Sequence, residues 1–195
     1  MNLLQQRIGG FLRICIAMTL VVTASCASTG SAGSTGSTSV TYNFTVEYPE
    51  PWKRLNTQKY YILSKEGAFL QYILVQQRRL DKPFRNTKKL INNDMLPKQA
   101  AEVILTEISS DESVLNFKVI ENIPAAVKGY DGFRLVFTYQ DKEGYMFKTI
   151  YYGFIKGAWF YSLRYNAATN HFSDEDVKTF ERVLKTFKII ASGSE

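Results

Sequence analysis

Cysteine and histidine are almost missing from this chain. Its 195 residues hold two cysteines, Cys15 and Cys26, and one histidine, His171. One imidazole with so few thiols cannot build a zinc cage of four nitrogen or sulfur ligands. No glycine-rich phosphate loop follows a strand pattern, since Gly9-Gly10 stands in an N-terminal leader. Asp111, Glu112, Asp141 and Glu143 lack the spacing of a calcium loop and read as solvated turn residues. His171 has Ser173, Asp174 and Asp176 for neighbours. A Ser–His–acid triad, however, needs groups that converge from separate orienting positions, and a helix cap accounts for Ser173 and Asp174. No catalytic residue, metal ligand or cofactor is therefore assigned.

A long apolar run is also lacking. The stretch from Ile14 to Val22 is short of the roughly 20 apolar residues that span a bilayer. It follows Arg7 and Arg13 and leads into Thr23-Ala24-Ser25-Cys26. A charged start, a short apolar core and small residues at a cut site make a secretory leader. Small residues directly before Cys26 resemble the bacterial lipoprotein signal, although Thr23 stands where that signal prefers Leu, Val or Ile. The resemblance implies a diacylglyceryl thioether on Cys26, cleavage before it and acylation of the new amine. The other reading is an ordinary leader cut near Ala24 or Ala27, which would leave an exposed thiol in an oxidising compartment. Residues 1–25 are thus expected to be a signal peptide. Residues 26–39, nearly all Ser, Thr, Gly and Ala, are expected to be a flexible tether. Ala27 is not the Asp that retains enteric lipoproteins in the inner membrane, so a periplasm-facing outer-membrane anchor is the expectation.

Residues 40–190 suit one domain, and 191–195 a frayed tail. The formal charge is +6, of which Arg7 and Arg13 leave with the leader. The remaining excess is too small for a nucleic-acid footprint. Period-two alternation marks strands at Tyr42–Tyr48, Tyr60–Leu63 and Leu70–Arg78, with a turn at Gly67. Pro97 opens a helix, with Asn93 or Asp94 as cap, and Ala100, Ala101, Ile104, Leu105 and Ile108 form its apolar face. Four strands follow, over 117–123, 133–139, 145–155 and 158–165, the last two joined at Lys156-Gly157. Ser173 caps a final helix with a stripe of Val177, Phe180, Val183, Leu184 and Phe187. The order predicts an α+β fold, an antiparallel sheet of about six to seven strands covered by helices.

Phe44-Thr45-Val46-Glu47-Tyr48-Pro49-Glu50-Pro51-Trp52 is similar to the strand-then-Pro-x-x-Trp opening of the Mog1/PsbP-like family. Glu121-Asn122-Ile123-Pro124-Ala125 with Gly129-Tyr130-Asp131-Gly132-Phe133 resembles the hairpin that begins that family's meander. The resemblance covers most of 40–190. It implies a largely non-catalytic superfamily that includes photosystem assembly subunits, a nuclear-import factor and envelope lipoproteins.

Two surfaces are candidates for contact. Tyr151, Tyr152, Trp159 and Tyr161 fall on adjacent strands rich in aromatics on both faces. Either a helix covers them, or they form a binding patch. Arg78, Arg79, Lys82, Arg85, Lys88 and Lys89 form the densest basic stretch. It is either a solvated loop or a contact for lipid phosphates or an acidic partner. The expected function is a non-enzymatic, membrane-anchored periplasmic lipoprotein that binds or helps assemble another envelope component. Its partners would be the membrane, through the lipid, and an envelope protein. The alternative is a carrier or sensor of a small apolar ligand held between sheet and helix, and an unrecognised enzyme is the remaining class.

Overall fold

The computed structural model describes residues 42–57 and 60–190. The expected signal peptide, Cys26, the tether and the tail lie outside the described residues.

The long aromatic and β-branched runs form strands β4 (Gln71–Arg79), β5 (Leu115–Val127), β6 (Tyr130–Gln140), β7 (Met146–Lys156) and β8 (Trp159–Ala168). With β2 (Lys53–Arg54) and β3 (Tyr61–Ser64) they make a seven-stranded antiparallel sheet ordered β2-β3-β4-β8-β7-β6-β5. Two tight hairpins set its register. Lys128 and Gly129 both take positive φ, +54° and +81°, between the paired residues Val127 and Tyr130. That is the backbone twist a two-residue hairpin favours. Gly157, at φ +58°, does the same between Lys156 and Trp159.

Both faces of the centre are buried, so these strands read as nearly continuous apolar runs. In β8 every residue except Trp159 and Arg164 is buried. Helix α1 (Pro97–Ser109) covers one face, where Ala101, Ile104 and Leu105 meet Phe133, Leu135, Phe137 and Tyr151. Helix α2 (Asp174–Thr186) covers the other, where Phe180, Val183 and the following Phe187 meet Phe154, Tyr161, Leu163 and Tyr165. Trp52, 2% exposed, closes that second core edge-on to Tyr165.

The expected α+β architecture is present, with differences at its ends. The 42–48 strand shrinks to β1 (Phe44–Thr45), and it leaves the main sheet to pair with β9 (Lys188–Ile189), a strand the sequence did not announce. The α1 cap is neither Asn93 nor Asp94. Leu96 is the cap residue, and its N–H donates to the Gln99 side chain at 2.8 Å. Asn92 instead accepts the Asp94 N–H in a local turn. Ser173 does cap α2, accepting from the Asp176 N–H at 3.2 Å. The Asp176 carboxylate, almost wholly buried, meets Lys65 at 2.8 Å and ties the start of α2 to the sheet.

Candidate functional site

Strand register explains where the molecule keeps an opening. On the α1 side, one row across the sheet reads Gln76, Ser162, Gly153, Phe133. The next reads Leu74, Arg164, Tyr151, Leu135, and the next Tyr72, Asn166, Thr149, Phe137. Each row ends in a large apolar residue on β6, whereas Gln76, Ser162, Arg164 and Asn166 bring polar groups to β4 and β8. An apolar helix face settles over the apolar half. The polar half is left beside α1 as a groove of about 420 Å³, which adjoins a second hollow of about 300 Å³. Arg164, Glu107, Ile108, Arg85 and Tyr60 border both.

The far wall is the segment after β4, held by its own clamp. Arg78 donates to the Lys82 and Pro83 carbonyls and lies 4.4 Å over the Phe84 ring. Leu80, Phe84, Ile91 and Met95 pack into the α1 core. Glu107 of α1 accepts from the Asn86 N–H, the Thr87 N–H and the Thr87 hydroxyl, each at 2.9 Å. Burial would raise the Glu107 carboxyl, but these donors outweigh it and hold it below the ordinary carboxylate range. At the floor, burial pushes the Tyr151 hydroxyl up to about 12, against the pull of Ser162, Arg164 and Arg78.

The proposed contact residues fall in different places. Tyr151 and Tyr161 are not surface aromatics: they are 5% and 1% exposed, because alternation sends one under α1 and the other under α2. Tyr152 is half-buried against Phe180, and Trp159 is half-buried under Arg79. The basic stretch is not one loop. Arg78 and Arg79 end β4, Arg79 is held by Asp81 at 3.0 Å, and Lys88 donates to the Arg85 carbonyl at 2.7 Å. Lys82, Arg85 and Lys89 remain exposed, and Arg85 borders the groove. His171 faces Glu66 at 3.7 Å, while Ser173 donates to Asp176 at 2.8 Å. Asp111 and Asp141 accept from Ser113 and from the Tyr145 N–H within their own turns.

Sequence reasoning passed over Ser162, Arg164 and Gln76. Their signal was present: Ser162, Arg164 and Asn166 are the polar members at every second position of an otherwise apolar strand. A further exposed surface lies on β5, the sheet's edge. Leu115, Val119, Ile120 and Ile123 are 40–57% exposed there, beside two register shifts and Pro124.

No protein-family model matches this sequence, and no curated protein matches it. Solved structures do match its fold. LpqN of Mycobacterium tuberculosis, described as involved in cell envelope biogenesis, superposes with a TM-score of 0.51 at 11% identity, over 75% of this chain and 83% of that one. The cyanobacterial PsbP, CyanoP, of Synechocystis sp. PCC 6803 superposes with a TM-score of 0.54 at 9% identity, over 75% and 86%. The domain has a PsbP-like fold.

Proposed function

We propose that this protein is a non-catalytic binding protein of the cell envelope, tethered through a lipid on Cys26, which holds a small envelope component in the groove beside α1. The groove carries the reading. It is within the usual size range for ligand sites, and it combines an apolar wall with a few convergent polar groups. Its neighbours in fold, one of them an envelope-biogenesis protein, agree with a role of this kind. The site differs from the enclosed apolar cavity of a simple lipid carrier, because its floor is polar and charged. The leader-like start and Ala27 support a periplasm-facing outer-membrane address.

The test is native mass spectrometry of the full chain taken gently from membranes. A small molecule retained one to one, and lost in Gln76→Trp at unchanged thermal midpoint, is the expected result. An empty protein would sink the reading. The N-terminal peptide in the same sample should carry the mass of an acylated cysteine, and an unmodified Cys26 would remove the tether.

A second reading has its own observation. The apolar row on β5 offers a surface to another envelope protein, which would make the chain an assembly factor. In-cell crosslinking from Ile120 to one dominant envelope protein would favour it.

A further inference from the structure

Six side-chain polar atoms are buried without a hydrogen-bond partner among the described residues. Three of them line this one groove: the Tyr42 hydroxyl, Arg78 Nε and Arg164 Nε. Native proteins leave few such atoms, and a cluster of them marks something missing. Arg164 is the extreme case. Among the described residues no carboxylate lies within 4 Å of its guanidinium, which lies 5.6 Å from the Tyr72 ring. Glu107 borders the same space, but its oxygens are taken by Asn86 and Thr87. Arg164 thus stands in the groove with no counter-ion among the described residues, while Arg78 spends its donors on the Lys82 and Pro83 carbonyls. A cation half withdrawn from water is costly when unpaired. A guanidinium, with its planar fork of donors, matches a carboxylate or phosphate head best. Beside these charges, Ile104, Ile108, Phe84 and Phe160 supply an apolar wall.

Taking the groove as the binding site proposed above, we infer that its ligand is a small organic anion, the head on Arg164 and the apolar body along Ile104, Ile108 and Phe160. The head satisfies the guanidinium, and the body covers the half-buried Ile108 and Phe84 beside the buried Ile104 and Phe160 that line the groove.

Isothermal titration of the full chain, with the detergent blank subtracted, tests this using soluble probes. Octanoate or octyl phosphate should saturate one site, and the tighter of the two identifies the head. Octan-1-ol and acetate should each bind at least tenfold more weakly. Arg164→Met should weaken the anion at least tenfold, while Arg79→Gln, whose charge is spent on Asp81 outside the groove, should not. Octan-1-ol binding as tightly as octanoate would overturn the anion but leave the groove as a site. Acetate or inorganic phosphate binding as tightly would overturn the apolar body. No saturable binding by any probe, in a protein that still retains a molecule from membranes, would overturn the ligand class alone. The head-group series needs no variant, so it holds even if Arg164→Met fails to fold.

Discussion

Across the face under α2, one row runs Ile73, Tyr165, Ile150, Val136; across the face under α1, the neighbouring row runs Leu74, Arg164, Tyr151, Leu135. The same four strands supply both. The first row is three aliphatic side chains and the Tyr165 ring, closed over by α2 and Trp52. The second carries a guanidinium in its middle, and the helix above it stands aside. A sheet buried on both faces can commit one to stability and hold part of the other open for a ligand, since adjacent residues point opposite ways. The difference predicts that substitutions on the α2 face act on folding, and that those on the polar half of the α1 face act on binding.

The largest effect should come from Phe180→Ala. Phe180 is fully buried and touches Tyr152 and Tyr165. Removing its ring leaves a cavity in the α2 core and should cost about 3–5 kcal/mol in chemical denaturation. Octanoate affinity of the folded fraction should be unchanged. An affinity change without a stability change would break the division between the faces.

Gly153→Ala probes the apolar half of the α1 face. A Cβ there would lie 2.5 Å from the Phe133 ring and 2.9 Å from the Phe160 ring, both in the core. Overpacking should cost about 1–3 kcal/mol, visible as a lowered denaturation midpoint. Phe160 also borders the groove, so a secondary loss of probe affinity is expected, smaller than that of Arg164→Met.

How much of this was legible in the sequence follows from the same geometry. The meander β5–β8 and both helices were legible, because period-two and period-3.6 patterns are local. The pairing of β1 with β9 was not, since two residues per strand carry no periodicity and their partner is over 140 positions away in the chain. Aromatics on β7 and β8 look alike whether bare or covered, and what covers Tyr151 and Tyr161 comes from two separate helices, α1 before the meander and α2 after it. The basic stretch drew notice by density, yet Arg78 and Arg79 spend their charge on local clamps. Arg164, a lone charge in an apolar strand, is what the groove is built around. The conflict of that one residue with its surroundings was the better signal.

Glu107→Gln should act next, through the wall of the groove. An amide would turn one oxygen into a donor facing other donors. The loss should be about 1 kcal/mol, because the site is half-exposed. The pH response has a definite sign. The folded carboxyl lies below its ordinary value, so its contribution is full above the unfolded carboxylate pKa and fades as pH falls through the depressed folded one. The protection factors of the Asn86 and Thr87 amides, taken against the intrinsic exchange rate at each pH, should fall in acid, and the variant should show the low protection already at neutral pH. Slow exchange in Glu107→Gln at neutral pH would show that the wall is held by other contacts.

The smallest expected effect on stability separates the two faces most sharply. Arg164→Met keeps much of the side chain's length and removes a charge that meets no carboxylate among the described residues. Replacing a poorly compensated buried charge by an apolar group is commonly neutral or stabilising. The denaturation midpoint should therefore stay level or rise, by up to about 1 kcal/mol, while octanoate affinity falls at least tenfold. That opposition is the signature of a residue kept for binding at some expense in stability. A core residue such as Phe180 would show the reverse. If Arg164→Met instead cost several kcal/mol, the guanidinium would be part of the scaffold, and the polar half of the α1 face would belong to folding as the α2 face does.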